Sequence, residues 1–110
     1  SYSYVLRTHA ASSQMIRTSV VTSLKQLAVS LGPVAHGAEW HLFGSVNRDE
    51  LDASDIDLMI LCNDDAQADA LRLAIDPDSL TLPIHLAFLT FDEAVAIDAV
   101  QVQQSSIIFG

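Results

Sequence analysis

The sequence predicts one α/β (α+β) domain in which helices pack on a single β-sheet. Two patterns lead to this fold class: segments whose apolar residues have helical spacing alternate with short apolar segments rich in β-branched residues. A chain of 110 residues, 50% of them hydrophobic, can bury one core and is too apolar for intrinsic disorder. Residues 1–110 are therefore expected to form a single domain without internal repeats or linkers.

The first element is a helix over residues 12–31. Its apolar residues follow in steps of three and four and so share one helical face: Ile16, Val20, Leu24, Leu27 and Leu31. Gly32 is typical just past a helix end and Pro33 cannot continue the hydrogen-bonding ladder, so the helix is expected to stop there.

Two strands are predicted next. Residues 40–43 are aromatic or apolar apart from His41 and run into Gly44-Ser45, a pattern typical of a short strand that ends in a turn. After a polar stretch, residues 55–62 read DIDLMILC and predict a second strand that begins with two carboxylates.

The remaining segments are a helix, a strand and a helix. Residues 64–75 are rich in Ala and begin with two Asp residues that complement the helix dipole, and Pro77 ends this helix. Residues 83–89 predict a third strand, and Thr90 or Asp92 can cap a last helix over residues 92–104. The β-prone residues 106–109 are expected to lie against the core.

Charge and composition exclude several functions. The chain carries 14 acidic and 5 basic residues, a net charge of -9, and its basic residues are scattered singly, so direct nucleic-acid binding is not expected. A nucleotide chelated by a divalent cation would be repelled far less. No apolar stretch approaches the ~20 residues of a membrane span, and residues 1–9 lack the charged and apolar regions of a signal peptide. A single cysteine suits a reducing compartment, so a cytoplasmic protein is expected.

The second strand carries the most informative residues. Asp55 and Asp57 stand at alternate positions, so their carboxylates point to the same face of the sheet. Two adjacent anions are costly unless a cation, water or a shared proton compensates them. Magnesium fits best, because it takes one or two carboxylates together with phosphate oxygens.

The turn before that strand suits a phosphate. Gly44 lets the backbone approach a ligand closely, and Ser45 can donate its hydroxyl and its amide. If Ser45 also opens a short helix over residues 46–50, the free amides of that helix point at the phosphate as well. Arg48 would add a charge-assisted contact. A Gly-Ser pair alone is usually a turn and an Asp-x-Asp alone is usually a solvated edge, but together they favour a metal and triphosphate site. The spacings exclude an EF-hand and a Walker loop.

The same residues resemble a known family. Residues 42–45 (LFGS) and 54–60 (SDIDLMI) are similar to the signature of the minimal nucleotidyltransferases of the DNA polymerase beta superfamily, and Arg48 and the chain ending at 107–110 resemble its stand-alone bacterial members. The resemblance implies a mixed sheet flanked by helices, the nucleotidyltransferase fold. It implies transfer of a nucleoside monophosphate from a triphosphate such as ATP, with Gly44 and Ser45 on the triphosphate and Asp55 and Asp57 holding two magnesium ions.

The sequence departs from the family pattern at two positions. The third carboxylate of the family stands on the next core strand, and the matching residue here is His85. A neutral imidazole could accept the proton of the acceptor, but it could equally be an ordinary strand histidine, and magnesium prefers oxygen, so the second metal is expected to bind more weakly. Asp49 stands where the family commonly has Gly, and its charge is expected to weaken nucleotide binding.

Two functions remain open. The first is a magnesium-dependent nucleotidyltransferase that modifies a protein or small-molecule acceptor, with a homodimer mate or a second protein completing the acceptor site. In the family that partner is often a helical HEPN-type protein, and the pair can act as antitoxin and toxin. The alternative is a degenerate domain that serves as a nucleotide-responsive or structural partner, with His85 marking the lost activity.

Other reactive side chains favour structural roles. Trp40 is expected to pack in the core rather than stack on a base, and Cys62 to be a small core residue rather than a nucleophile. His9, His36 and His41 lack the spacing of zinc ligands.

Overall fold

A computed structural model describes residues 2–50, 55–80 and 82–110, with side chains from Ile16 onward except Ser79. Within those ranges the chain forms five α-helices and four β-strands: α1 (Tyr2–Leu31), β1 (Glu39–Phe43), α2 (Gly44–Asn47), β2 (Ile56–Cys62), α3 (Asp65–Ala74), β3 (Ile84–Thr90), α4 (Phe91–Ala96), α5 (Ala99–Val102) and β4 (Ser106–Phe109). Short 3-10 helices follow α1 at Gly32–Ala35 and α3 at Pro77–Ser79. None of the helices described has both the length and the apolarity that a bilayer span needs.

The four strands form one mixed sheet in the order β3-β2-β1-β4. β1 runs antiparallel to both β2 and β4, and the α3 crossover makes β2 and β3 parallel. Helices pack on both faces of this sheet, so the predicted fold class, a mixed sheet flanked by helices, is confirmed. The register places Asp57 of β2 between Phe43 of β1 and His85 of β3.

The two faces of the sheet bury different cores. On the larger face, alternate residues of β2 (Ile56, Leu58 and Ile60) pack with α1 and α3 around buried Leu24 and Leu71. The intervening β2 residues Met59 and Leu61 pack with Ala94 and Ala99 of α4 and α5 on the other face. Asp57 belongs to this second set by strand alternation, so it lies on the face that α4 and α5 only partly cover.

Most predicted boundaries agree with the structure. Asp64 caps α3 by accepting a hydrogen bond from the Gln67 amide at 2.8 Å. Thr90 rather than Asp92 caps α4, in a reciprocal capping box with Glu93. The β-prone ending, Ser106–Phe109, pairs with β1 as a strand.

Two predictions about helices were wrong. The first helix begins at Tyr2 rather than at residue 12, because residues 2–11 contain no Gly or Pro that would break a helix. The single helix over residues 92–104 is two short helices, since the chain turns at Ile97 and Asp98 takes a left-handed conformation with φ 53°. Asp tolerates that conformation better than most residues, and Asp98 then starts α5.

The structural roles predicted for two core residues are confirmed. Trp40 is fully buried and packs edge-on against Phe109, with ring centroids 6.2 Å apart. Cys62 is also fully buried, and burial, reinforced by the nearby charge of Asp64, raises the pKa of its thiol. His41 is buried as well, with Nε2 3.0 Å from Glu39 Oε1, and the side chain of His9 lies outside the described set.

Candidate functional site

The turn between β1 and β2 is pressed against an aspartate. Gly44 has φ +76°, and a Cβ built on it would overlap Oδ2 of Asp57 and lie 3.0 Å from its Cγ. Both the left-handed backbone and the close approach therefore require glycine here. The sequence assigned Gly44 a close approach to a ligand, and the structure adds that Asp57 is the neighbour that fixes its position.

Ser45 lies in the short helix α2, as the sequence predicted, although this helix spans Gly44–Asn47 rather than residues 46–50. The Arg48 amide donates to the Gly44 carbonyl at 3.1 Å, and the Glu50 amide donates to the Ser45 carbonyl at 3.1 Å. Val46 is buried and anchors the helix in the larger core. Ser45 itself is half-buried beside the site.

The two carboxylates lie at the start of β2. Asp55 directly precedes the strand and Asp57 is its second residue, so alternation places both on the face opposite the larger core. The Asp55 side chain is 48% exposed and Asp57 is half-buried. Both carboxylates are thus accessible next to the Gly44 turn, while Ser54 of the same motif lies outside the described residues.

His85 joins this group from the neighbouring strand. It stands opposite Asp57 in the parallel register, and its Nε2 is 3.5 Å from Oδ2 of Asp55. Its side chain is 66% exposed, so the imidazole can meet a ligand from solvent. The sequence placed His85 where a third carboxylate was expected, and the structure brings it to the two aspartates.

The donor chemistry of these residues fits a magnesium ion in part. Asp55 and Asp57 offer the oxygen ligands that magnesium prefers, and their exposure leaves room for water and phosphate oxygens. His85 adds nitrogen rather than a third carboxylate. Across the part of the chain that the structure describes, no three His, Cys, Asp or Glu side chains form a group that could hold a metal ion. Two adjacent carboxylates are therefore the oxygen ligands that these residues offer to a metal ion, and the presence of magnesium stays a prediction.

Arg48 is engaged elsewhere. Its Nε and Nη2 lie 2.8 and 2.7 Å from Oε2 of Glu50, and both side chains are largely exposed. An exposed ion pair of this kind contributes only about 0–1 kcal/mol, so releasing it is inexpensive. The role of Arg48 at a phosphate stays a prediction.

Asp49, the other departure from the family pattern, has a left-handed backbone with φ 59°. Glycine adopts this conformation freely, whereas a residue with a Cβ is strained by about 1 kcal/mol. The structure therefore gives a backbone reason for glycine at this position.

Sequence reasoning missed a polar network at the far end of α2. Arg17 of α1 donates from Nε to the Asn47 carbonyl at 3.2 Å and from Nη2 to Asn47 Oδ1 at 3.1 Å. Asn47 Nδ2 in turn donates to the Gln104 carbonyl at 3.3 Å. Helical periodicity marks Arg17 only as a polar neighbour of the apolar face, and no local pattern indicates a partner 30 residues away.

Comparison with known proteins identifies the domain. The family model described as the nucleotidyltransferase domain matches residues 21–109, which include Gly44, both aspartates and His85. No curated protein and no solved structure matches the chain. The match extends from the second half of α1 to β4 and so covers the whole sheet. The chain therefore belongs to the nucleotidyltransferase domain family.

Proposed function

We propose that this domain transfers a nucleoside monophosphate from a magnesium-chelated nucleoside triphosphate, such as ATP, to a protein or small-molecule acceptor. The observation that carries the proposal is the contact between the Gly44 backbone and the Asp57 carboxylate. It puts a turn suited to phosphate directly beside two oxygen ligands suited to magnesium. Metal and triphosphate must be adjacent in this reaction, because the metal binds the phosphates.

Each residue has a role in the proposed mechanism. Gly44 admits the triphosphate because it has no side chain, and Ser45 donates hydrogen bonds to phosphate oxygens. Asp55 and Asp57 would hold magnesium, which would neutralise phosphate charge. The acceptor attacks the α-phosphorus, its proton passes to Nε2 of His85, and the bond to pyrophosphate breaks. Oδ2 of Asp55 lies 3.5 Å from that nitrogen.

The charge distribution supports a compact substrate. A net charge of -9 with only five scattered basic residues disfavours long nucleic acids, which bind through phosphate contacts. With His85 in place of a third carboxylate, the site is proposed to hold one magnesium ion firmly and a second one weakly. A second copy of the chain or a helical HEPN-type protein is proposed to complete the acceptor site, as the resemblance to stand-alone bacterial members suggests.

The test is a transfer assay with ATP labelled at the α-phosphate, with magnesium or manganese, and with candidate partners present or absent. We expect metal-dependent labelling that the variant Asp55→Ala/Asp57→Ala abolishes. The matched control is Asp65→Ala/Asp69→Ala, which removes two exposed carboxylates from α3 and should retain transfer. Equal labelling by both double variants would refute the assignment of the site.

A degenerate, non-catalytic domain is the second candidate, and His85 is the observation that favours it. If activity was lost with the third carboxylate, His85→Asp should restore transfer that the wild type lacks. Transfer by the wild type that is reduced in His85→Asp would instead support the imidazole as the proton acceptor.

A further inference from the structure

We propose that Arg17 is a positioning residue for the Gly44-Ser45 turn and acts on it through Asn47. The inference rests on the proposed function, because it concerns the turn that is to hold the triphosphate. Arg17 precedes residues 21–109, the part of the chain that the family model matches. We call the two hydrogen bonds from Arg17 to Asn47 the clamp.

The hydrogen bonds form a fork on a single residue. Arg17 Nε donates to the backbone carbonyl of Asn47 at 3.2 Å, and Arg17 Nη2 donates to Asn47 Oδ1 at 3.1 Å. Both contacts are partly buried, and a charged donor strengthens them. The Asn47 carbonyl ends α2, where carbonyl groups lack helical partners and a cation is favourable.

Both polar atoms of the Asn47 side-chain amide form hydrogen bonds. Oδ1 accepts from Arg17, while Nδ2 donates to the Gln104 carbonyl at 3.3 Å in the turn before β4. Asn47 therefore ties α2 to α1 on one side and to the β4 connection on the other. Both partners lie far from it in sequence, so the contacts restrain where the helix sits.

A helix of one turn cannot hold its own position. Helix α2 has four residues, too few to be stable by its own hydrogen bonds. Its placement depends on the Gly44 contact with Asp57, on buried Val46 and on the clamp at Asn47. Loosening the last of these lets the opposite end, Gly44 and Ser45, visit positions that do not fit a triphosphate.

This role has a specific kinetic signature. If only a fraction of molecules holds the turn correctly, the apparent nucleotide affinity falls by that fraction. A molecule that has bound the nucleotide has the turn in place, so its rate of transfer is unchanged. Loss of the clamp should raise Kd and KM for Mg-ATP and leave kcat nearly constant.

The experiment compares Arg17→Met with Lys25→Met, which removes an exposed charge from the same helix. We expect Arg17→Met to raise Kd, from calorimetry, and KM by about 10-fold. Lys25→Met should leave both unchanged. Arg17→Lys should bind nearly as weakly as Arg17→Met, because an ammonium group lacks the planar fork. Asn47→Ala removes the Oδ1 hydrogen bond from Arg17 and the bond to Gln104 but keeps the backbone carbonyl, so it should also raise Kd. Because Arg17 and Asn47 are in contact, the double variant should lose less affinity than the two single losses added together.

Hydrogen exchange without nucleotide separates this proposal from the proposed function. The amides of Arg48, Asp49 and Glu50, which close the turns of α2, should exchange faster in Arg17→Met than in Lys25→Met. If the wild type neither binds nor transfers nucleotide, the proposed function fails. The hydrogen-exchange rates of these amides still show whether Arg17 holds α2 in place. Unchanged exchange, or a loss of kcat at constant KM, would overturn the proposal. If Arg17→Met does not fold, Asn47→Ala makes the same test.

Discussion

The close approach of Gly44 to Asp57 predicts the effect of adding one methyl group. Gly44→Ala places a Cβ in a left-handed backbone, φ +76°, and 3.0 and 3.2 Å from Cγ and Cβ of Asp57. Because the neighbouring atoms include the base of the Asp57 side chain, rotating the carboxylate alone does not make room. The aspartate or the turn must move, and either movement separates the two halves of the site.

Gly32→Ala is a matched control. Gly32 has a similar left-handed backbone, φ +62°, but among the described residues no atom beyond its chain neighbours lies within 4 Å of the Cβ position. Its substitution therefore carries the backbone strain alone, about 1 kcal/mol of unfolding free energy. Gly44→Ala should cost about 2–3 kcal/mol, since crowding at Asp57 adds to the same strain.

Urea unfolding gives the two free energies, and calorimetry with Mg-ATP gives the affinities. The affinities are measured at a temperature where both variants are folded. We expect Gly32→Ala to bind Mg-ATP as tightly as the wild type does, and Gly44→Ala to bind it more weakly even though it is folded. Equal destabilisation of the two variants together with wild-type binding by both would refute the argument that Gly44 is held against a metal ligand.

Three further changes test neighbouring features. Asp49→Gly removes the backbone strain of an aspartate in a left-handed conformation, φ 59°. It should raise the free energy of unfolding in urea by about 1 kcal/mol and tighten Mg-ATP binding. A loss of stability would contradict this expectation. Glu50→Gln weakens the exposed pair with Arg48, so it should cost under about 1 kcal/mol in the same assay and increase affinity if Arg48 contacts phosphate. Burial raises the pKa of the Cys62 thiol, so above about pH 8.5 the unfolded thiol loses its proton first and unfolding free energy should fall with pH. In Cys62→Ala the free energy of unfolding should fall less steeply with pH. The same dependence on pH in both proteins would exclude a contribution from the thiol.

Local rules predicted the parts of the site that depend on neighbouring residues. Strand alternation placed Asp55 and Asp57 on one face, and the Gly-Ser pair placed the turn, because both follow from a few consecutive residues. The break at Asp98 was missed because Ala and Val continue the helical pattern across it. The Arg17 clamp was missed because its partner is set by how α1 lies on the sheet, which no short window of sequence records.

The same alternation separates the fold from the chemistry. In β2 and β3, one set of residues, Ile56, Leu58, Ile84 and Leu86, belongs to the larger core, and the intervening residues Asp57 and His85 face the site. A substitution at 85 therefore alters the ligands that the site offers without removing an apolar contact that holds the two strands together. The parallel pairing through α3 still brings position 85 opposite Asp57 whatever residue stands there. This chain thus belongs to the nucleotidyltransferase family, and the proposed handling of metal and proton depends on one exposed side chain that the fold does not need.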